Sequence, residues 1–239
     1  MIAIRDLSVA FGGVRALNRL SVTLTDPIVG IIGPNGAGKT TLLNVFSGFV
    51  QPQGGAIDAF GTDLLAMAPH RRARWGLRRS FQNEQVVDDL TLADNLRAVL
   101  DGLPRAGRRD AARQIADALH HVGLEGRAEA MGASLNAFER RMAELAKTLV
   151  GAPRVVLLDE PAAGLRDDEV DALRQAIRGL HAHCGAMTLL IEHDVELISS
   201  TCTSTVVLDF GELIAFGATA EVLQSERVKI AYLGVEAAA

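Results

Sequence analysis

Cysteine is nearly missing from this 239-residue chain, which carries only Cys184 and Cys202. Neither falls in a metal-binding or redox spacing. Both read as small buried apolar residues, and so few thiols suit a reducing cytoplasm. Long apolar runs are missing too: none approaches the ~18 residues that a membrane span needs, and no charged-then-apolar leader is visible. Any work at a membrane would therefore go through another polypeptide. Positive charge is not in excess, since the formal net charge is −5. That balance argues against a partner held by nucleic-acid phosphates. The length suits one large α/β domain, or a core with a subdomain, and is enough to bury a sizeable core.

Against these absences stands Gly33-Pro34-Asn35-Gly36-Ala37-Gly38-Lys39-Thr40-Thr41. It fits G-x-x-x-x-G-K-[ST], the phosphate-binding loop. The apolar run Ile28 to Ile32 precedes it as a buried strand, and residues 39–46 read as a helix. Glycines let the backbone close around phosphate oxygens, so that N–H groups and the helix N-terminus face the anion. Lys39 is expected to reach the β- and γ-phosphates, and the Thr40 hydroxyl to ligate magnesium. The pattern implies ATP-like nucleotide and Mg2+ as ligands.

The remaining chain is read around this loop. Residues 1–9 and 21–25 alternate with a period of two, as an antiparallel hairpin beside the loop strand, broken at Phe11-Gly12-Gly13. Phe11 is placed to stack on an adenine face or, alternatively, to pack at the hairpin end. A turn at Gln51 to Gly55 leads to a strand near 56–60. The stretch Pro69 to Arg79 holds five arginines and the tryptophan. It is short and isolated in an acidic chain, so a solvated helix face is expected rather than a nucleic-acid surface. Residues 92–132 read as a helical insertion with Ile115, Leu119 and Val122 on one face, interrupted at Gly102-Leu103-Pro104. Met142, Leu145, Ala146 and Leu149 mark another helix face, ending at Gly151-Ala152-Pro153.

Val155 to Leu158 then runs apolar into Asp159-Glu160. Two carboxylates at a strand end downstream of a phosphate loop form a Walker B arrangement. Asp159 is expected to hold magnesium, and Glu160 to polarise the water attacking the γ-phosphate. After a helix from Asp168 with Val170, Leu173, Ile177 and Leu180 on one face, Thr188 to Ile191 leads to Glu192-His193-Asp194. His193 lies at the strand end where open α/β sheets bind ligands. The pair His120-His121 shows no ligand spacing. Strands alternating with helices imply an α/β fold with a mostly parallel sheet.

These residues resemble an ATP-binding-cassette ATPase over nearly the whole chain. The resemblance places Phe11 at the adenine-stacking position, Gly33 to Thr41 as Walker A, and Ser80-Phe81-Gln82-Asn83 as the Q-loop. In it Gln82 senses magnesium and the γ-phosphate, Asp159 and Glu160 are Walker B, and His193 is the switch histidine. Phe11 to Leu17, Asp159 to Leu165 and Ala231-Tyr232-Leu233-Gly234 resemble the ATPases of branched-chain and hydrophobic amino acid importers. The resemblance implies a P-loop core, an antiparallel β subdomain and a helical subdomain at about 84–150 in a single nucleotide-binding domain. It also implies transmembrane permease partners docking near Gln82 and 84–95, a second cassette, an indirectly coupled solute-binding protein, and the cytoplasmic face of the membrane.

One segment departs from the pattern. The family's L-S-G-G-Q signature aligns with Leu135-Asn136-Ala137-Phe138-Glu139, where only the leucine survives. Phe138 is bulky where backbone must approach the opposite subunit's nucleotide, and Glu139 brings a carboxylate near that anion. Asn136 and Glu139 keep the spacing of a capping box, so the helix itself is expected to form. A heterodimer with one impaired composite site follows as an expectation. Alternatives are a catalytically quiet regulatory cassette, a urea or amide uptake ATPase, and a soluble cassette acting on DNA or ribosomes.

Overall fold

The computed structural model describes residues 1–230; the Ala231 to Gly234 stretch lies outside them. In chain order the elements begin with β1 (Ile2–Phe11), β2 (Val14–Leu24), β3 (Ile28–Ile32), α1 (Lys39–Ser47), β4 (Gly54–Ala59), β5 (Thr62–Asp63) and α2 (Pro69–Trp75). Next come β6 (Leu77–Arg79), α3 (Leu92–Asp101), α4 (Ala111–His121), α5 (Ala137–Leu149), β7 (Val155–Asp159) and α6 (Asp167–Cys184). The last are β8 (Met187–Ile191), α7 (Val195–Thr201), β9 (Ser204–Asp209), β10 (Glu212–Ala218), α8 (Thr219–Gln224) and the short α9 (Glu226–Val228). The chain divides into two compact units: Met1–Arg72 with the segment from Leu189 onward, and Ala73–Thr188.

In the first unit, β1 pairs antiparallel with β2 on one edge and with β4 on the other, giving the order β2-β1-β4-β5. The hairpin thus builds its own sheet instead of pairing with β3. The large buried side chains of β1 are Ile2 and Ile4, then Leu7 and Val9. The step of three between Ile4 and Leu7 coincides with a register shift and with the left-handed backbone of Asp6. An extra residue there returns the apolar side chains to the same face. The apolar run β3 is wholly buried and lies parallel to β9, which pairs antiparallel with β10.

In the second unit, β6 runs parallel to β7 in the register Leu77↔Val155 and Arg79↔Leu157. Helices α3, α4 and α5 pack on one another around Leu96, Leu100, Ile115, Leu119, Met142 and Leu149. The expected break at Gly102-Leu103-Pro104 is present, followed by a 3-10 turn at Arg105–Arg108. Helix α6 carries Asp167, Asp168 and Glu169 in its first turn, favourably placed on the positive end of the helix dipole.

The basic stretch matches its sequence reading only in part: Arg71 and Arg74 lie on a solvated face of α2, while three other arginines are enclosed. Arg72 has no exposed surface, and Arg78 and Arg79 are nearly as enclosed. The cause is the set of free carbonyls at helix ends. Arg72 donates to Val45 O, to Phe46 O at 2.9 Å and to Met67 O at 2.9 Å, closing the C-terminus of α1. Burial lowers its pKa, partly offset by Asp63. Arg78 donates to Val150 O at 3.3 Å and Gly151 O at 3.1 Å just beyond α5, and to Ala73 O at 2.6 Å. Its enclosure pushes the pKa down to about 10. The cysteines match their reading more closely: both are free, Cys202 is buried and Cys184 half-buried. Burial, with a smaller contribution from Glu192, pushes the Cys202 thiol up to about 12.

Replacing Arg72 by methionine should leave the α1 carbonyls without their donors. The expected loss is roughly 2–4 kcal/mol, read as a lowered urea midpoint with an unchanged slope. Arg71→Met, at an exposed neighbour, should change the midpoint little.

Candidate nucleotide site

Within the first unit, β3 ends at Gly33 and the loop delivers α1. Gly33 and Gly38 both have positive φ, and a Cβ at either would run into a backbone oxygen, of Leu208 and Ala16 respectively. No other residue type fits these two positions. Ala37 N donates back to Pro34 O at 3.1 Å, closing the loop. The N-terminus of α1 has no side-chain cap. Its first-turn N–H groups, with the positive end of the helix dipole, therefore form a ready anion site. Lys39 is buried, and its Nζ donates to Gly33 O at 2.6 Å and Pro34 O at 3.0 Å. The ammonium is thus folded over the loop it serves. Asn35, Gly36 and Thr40 are exposed, while Pro34 and Thr41 are half-buried.

Phe11 ends β1 opposite Val14 and is 53% exposed, which leaves a ring accessible to solvent. His193 is also exposed. It follows β8 and precedes Asp194, whose Oδ1 caps α7 by accepting from Glu196 N at 2.7 Å.

Within the second unit, β7 delivers Asp159 into a buried position. Arg79 Nη2 donates to Asp159 Oδ2 at 2.8 Å, with both side chains less than a tenth exposed. Asp159 N donates to Ser80 Oγ at 3.4 Å. The other carboxylate oxygen, Oδ1, is buried and has no hydrogen-bond partner among the described residues. The next residue, Glu160, is half-buried and has a φ of 50°, a left-handed backbone that a non-glycine residue seldom adopts. Sequence reasoning missed Arg79. Its only signal was its place on a short strand immediately before Ser80-Phe81-Gln82.

Gln82 is exposed, yet the backbone around it is held firmly by α5. Arg141 donates to Phe81 O at 3.3 Å and Gln82 O at 3.2 Å, and pairs with Glu84 at 3.1 Å. Buried Glu144 accepts from Gln85 N at 2.8 Å, while Lys147 donates to Gln85 O at 2.6 Å and to Glu144 at 2.7 Å. Arg140 adds Val86 O and Asp88. One helix face therefore grips a loop that has no strand or helix partner of its own. None of these contacts was legible in the sequence, where this helix was read only by its apolar face of Met142, Leu145, Ala146 and Leu149.

The N-terminus of α5 forms the expected capping box. Asn136 Oδ1 accepts from Glu139 N, and Glu139 Oε2 accepts from Asn136 N, both at 2.9 Å. Arg127 pairs with the same carboxylate at 2.9 Å. Leu135 is buried, Asn136 and Ala137 are exposed, and Phe138 is half-buried. The Glu139 carboxylate is thus committed to its own helix cap and to Arg127.

Taken separately, the two units fit the parts of a magnesium nucleotide. In the first, the uncapped first turn behind two glycine-only positions can accept phosphate. In the second, the unpartnered buried oxygen of Asp159 can accept a cation or its water shell. Among the described residues no group of three or more His, Cys, Asp or Glu side chains could by itself hold a metal ion, so a cation at Asp159 would need oxygens from the nucleotide or water.

The clamp on the Gln82 loop makes its own prediction. Glu144→Ala removes the acceptor for Gln85 N–H, so amide exchange at Gln85 should quicken by at least about tenfold. Unchanged protection at Gln85 would show that Glu144 does not hold the loop.

Comparison with known proteins places this geometry. The sequence pattern of the ABC transporter family matches residues 17–163. The high-affinity branched-chain amino acid transport ATP-binding protein BraF of Pseudomonas aeruginosa is 34% identical, covering 98% of each chain. The lipopolysaccharide export system ATP-binding protein LptB of Escherichia coli is 36% identical over 96% of this chain and 95% of its own. A solved ATP-binding cassette of an ABC transporter, MJ1267, superposes with a TM-score of 0.85 at 23% identity, covering 97% of this chain and 98% of its own. This likeness bears out the expected α/β cassette fold, with its antiparallel β region and helical region. With a family match over more than half its length and relatives above 30% identity along nearly all of it, the chain belongs to the ABC transporter ATP-binding cassettes, ATPases that bind ATP with magnesium.

Proposed function

We propose that this chain is the ATP-hydrolysing subunit of an importer for branched-chain or other hydrophobic amino acids. The observation that carries the reading is its likeness to BraF along 98% of both chains. No helix among the described residues is long and apolar enough to cross a membrane. In this reading the subunit is peripheral, docked on the cytoplasmic side of permease subunits by the surface near Gln82 and 84–95. A solute-binding protein is coupled indirectly, and nucleic acid is not a partner. The helical subdomain at about 84–150 presents that surface. LptB supports a second reading, an export motor, at 36% identity.

The roles follow from chemistry and family resemblance. Phe11 stacks on adenine, Lys39 neutralises the β- and γ-phosphates, and Thr40 and Asp159 supply oxygens to magnesium. Glu160 orients and deprotonates the attacking water, with Gln82 and His193 responding to the γ-phosphate. Bound magnesium supplies charge neutralisation on the phosphate oxygens.

The proposal extends to pairing. Leu135-Asn136-Ala137-Phe138-Glu139 keeps a helix cap and loses the small residues that would let backbone reach an opposing phosphate. Because Glu139 already faces Arg127 and its own cap, the obstruction rests on Phe138 more than on charge. A second cassette with an intact signature would complete the site formed by this chain's own Walker motifs, leaving one site of the heterodimer impaired.

Glu160→Gln should lower ATP turnover by roughly 10²–10⁴-fold while nucleotide binding, read by fluorescence titration, persists. Equal loss of binding would remove Glu160 from its assigned role. For pairing, Asn136→Ser with Phe138→Gly keeps a capping residue and should raise turnover of the self-assembled chain several-fold. No gain would count against the asymmetric assembly. Co-expression with branched-chain permease subunits, followed by solute-stimulated ATPase assay in vesicles, separates import from export.

A further inference from the structure

The pair between Arg79 and Asp159 has no place in the roles above. Both side chains are buried, with 7% and 4% exposed. Arg79 lies in strand register beside Leu157, two residues before Asp159, so its reach to the carboxylate is fixed by the β6–β7 ladder. Its guanidinium carbon also lies 5.1 Å from the centre of the Phe81 ring, a cation–π contact at the start of the Gln82 segment. The guanidinium takes Oδ2, and Oδ1 is the oxygen left without a partner among the described residues.

We infer that Arg79 is a positioning residue for the metal carboxylate, holding Asp159 by Oδ2, presenting Oδ1, and setting how tightly a divalent cation binds there. The inference rests on the reading of Asp159 as a magnesium ligand. A buried carboxylate with no cation beside it is costly, so before metal arrives the arginine supplies the compensating charge. Once metal arrives, the same charge repels it across a few ångströms of poorly screened interior. The arginine thus stabilises the metal-free site and weakens the metal-bound one. Metal is then held firmly only when nucleotide phosphates add their own charge.

Mn2+ is the probe, because its binding is read by electron paramagnetic resonance without turnover. In the full chain saturated with ADP, Arg79→Met should bind Mn2+ about fivefold tighter than the parent. Without metal or nucleotide it should melt at lower temperature, and Mn2+ with ADP should recover more of that loss than in the parent. Arg79→Lys, which keeps the charge, should restore parental Mn2+ affinity. Arg79→Gln provides the same affinity test if the methionine variant does not fold. Unchanged or weaker Mn2+ binding in a folded Met or Gln variant overturns the inference. Asp159→Asn checks the underlying reading separately. It should abolish the ADP-dependent Mn2+ signal, and if it does not, Asp159 is not the ligand whatever Arg79 does.

Discussion

A helix that must offer its N-terminus to an anion cannot be stabilised there by a side-chain cap, and this constraint shapes the nucleotide-binding unit. Helix α1 starts at left-handed Gly38 with no capping side chain. Its stabilisation is moved to the other end. There the fully enclosed guanidinium of Arg72 satisfies Val45 O and Phe46 O, and Gly48 N donates to Val45 O. A buried cation is tolerable only when its donors are engaged, and the free carbonyls of a helix end are an efficient set of acceptors. The open end and the plugged end are two parts of one solution.

Helix α5 solves the opposite problem. It is capped at its start by Asn136 and Glu139, backed by Arg127, and the two carbonyls that follow its last residue are taken by Arg78. Both ends of the helix are thus engaged. Its polar side chains are then available to hold the irregular segment Phe81 to Asp88. The segment carrying Gln82 thus owes its conformation to a helix some sixty residues later in sequence.

Much of this was legible from sequence. The phosphate loop, the buried strand before it, the carboxylate pair after β7 and the capping box all depend on residues a few positions apart, and local spacing identifies them. The β1 strand was also evident, but not its second edge with β4, because alternation says which face is buried and not which strand lies beside it. Arg72, Arg78 and Arg79 were misread for a related reason. Charge in a short basic run predicts solvent exposure. Besides one carbonyl each from five residues away, Arg72 finds partners 26 and 27 residues away, and Arg78 finds two more than seventy away. Arg79 and the residues gripping the Gln82 segment were invisible on the same grounds. Buried polar groups are specified by partners, and partners distant in sequence leave no periodic trace.

The left-handed backbone at Glu160 carries an evolutionary consequence. A glycine would occupy that conformation with less strain, and an asparagine nearly as easily. Drift favouring stability alone would therefore tend to erase this carboxylate. In the role proposed for Glu160, the carboxylate beside Asp159 is held against the easier backbone, the kind of strain that functional sites commonly store.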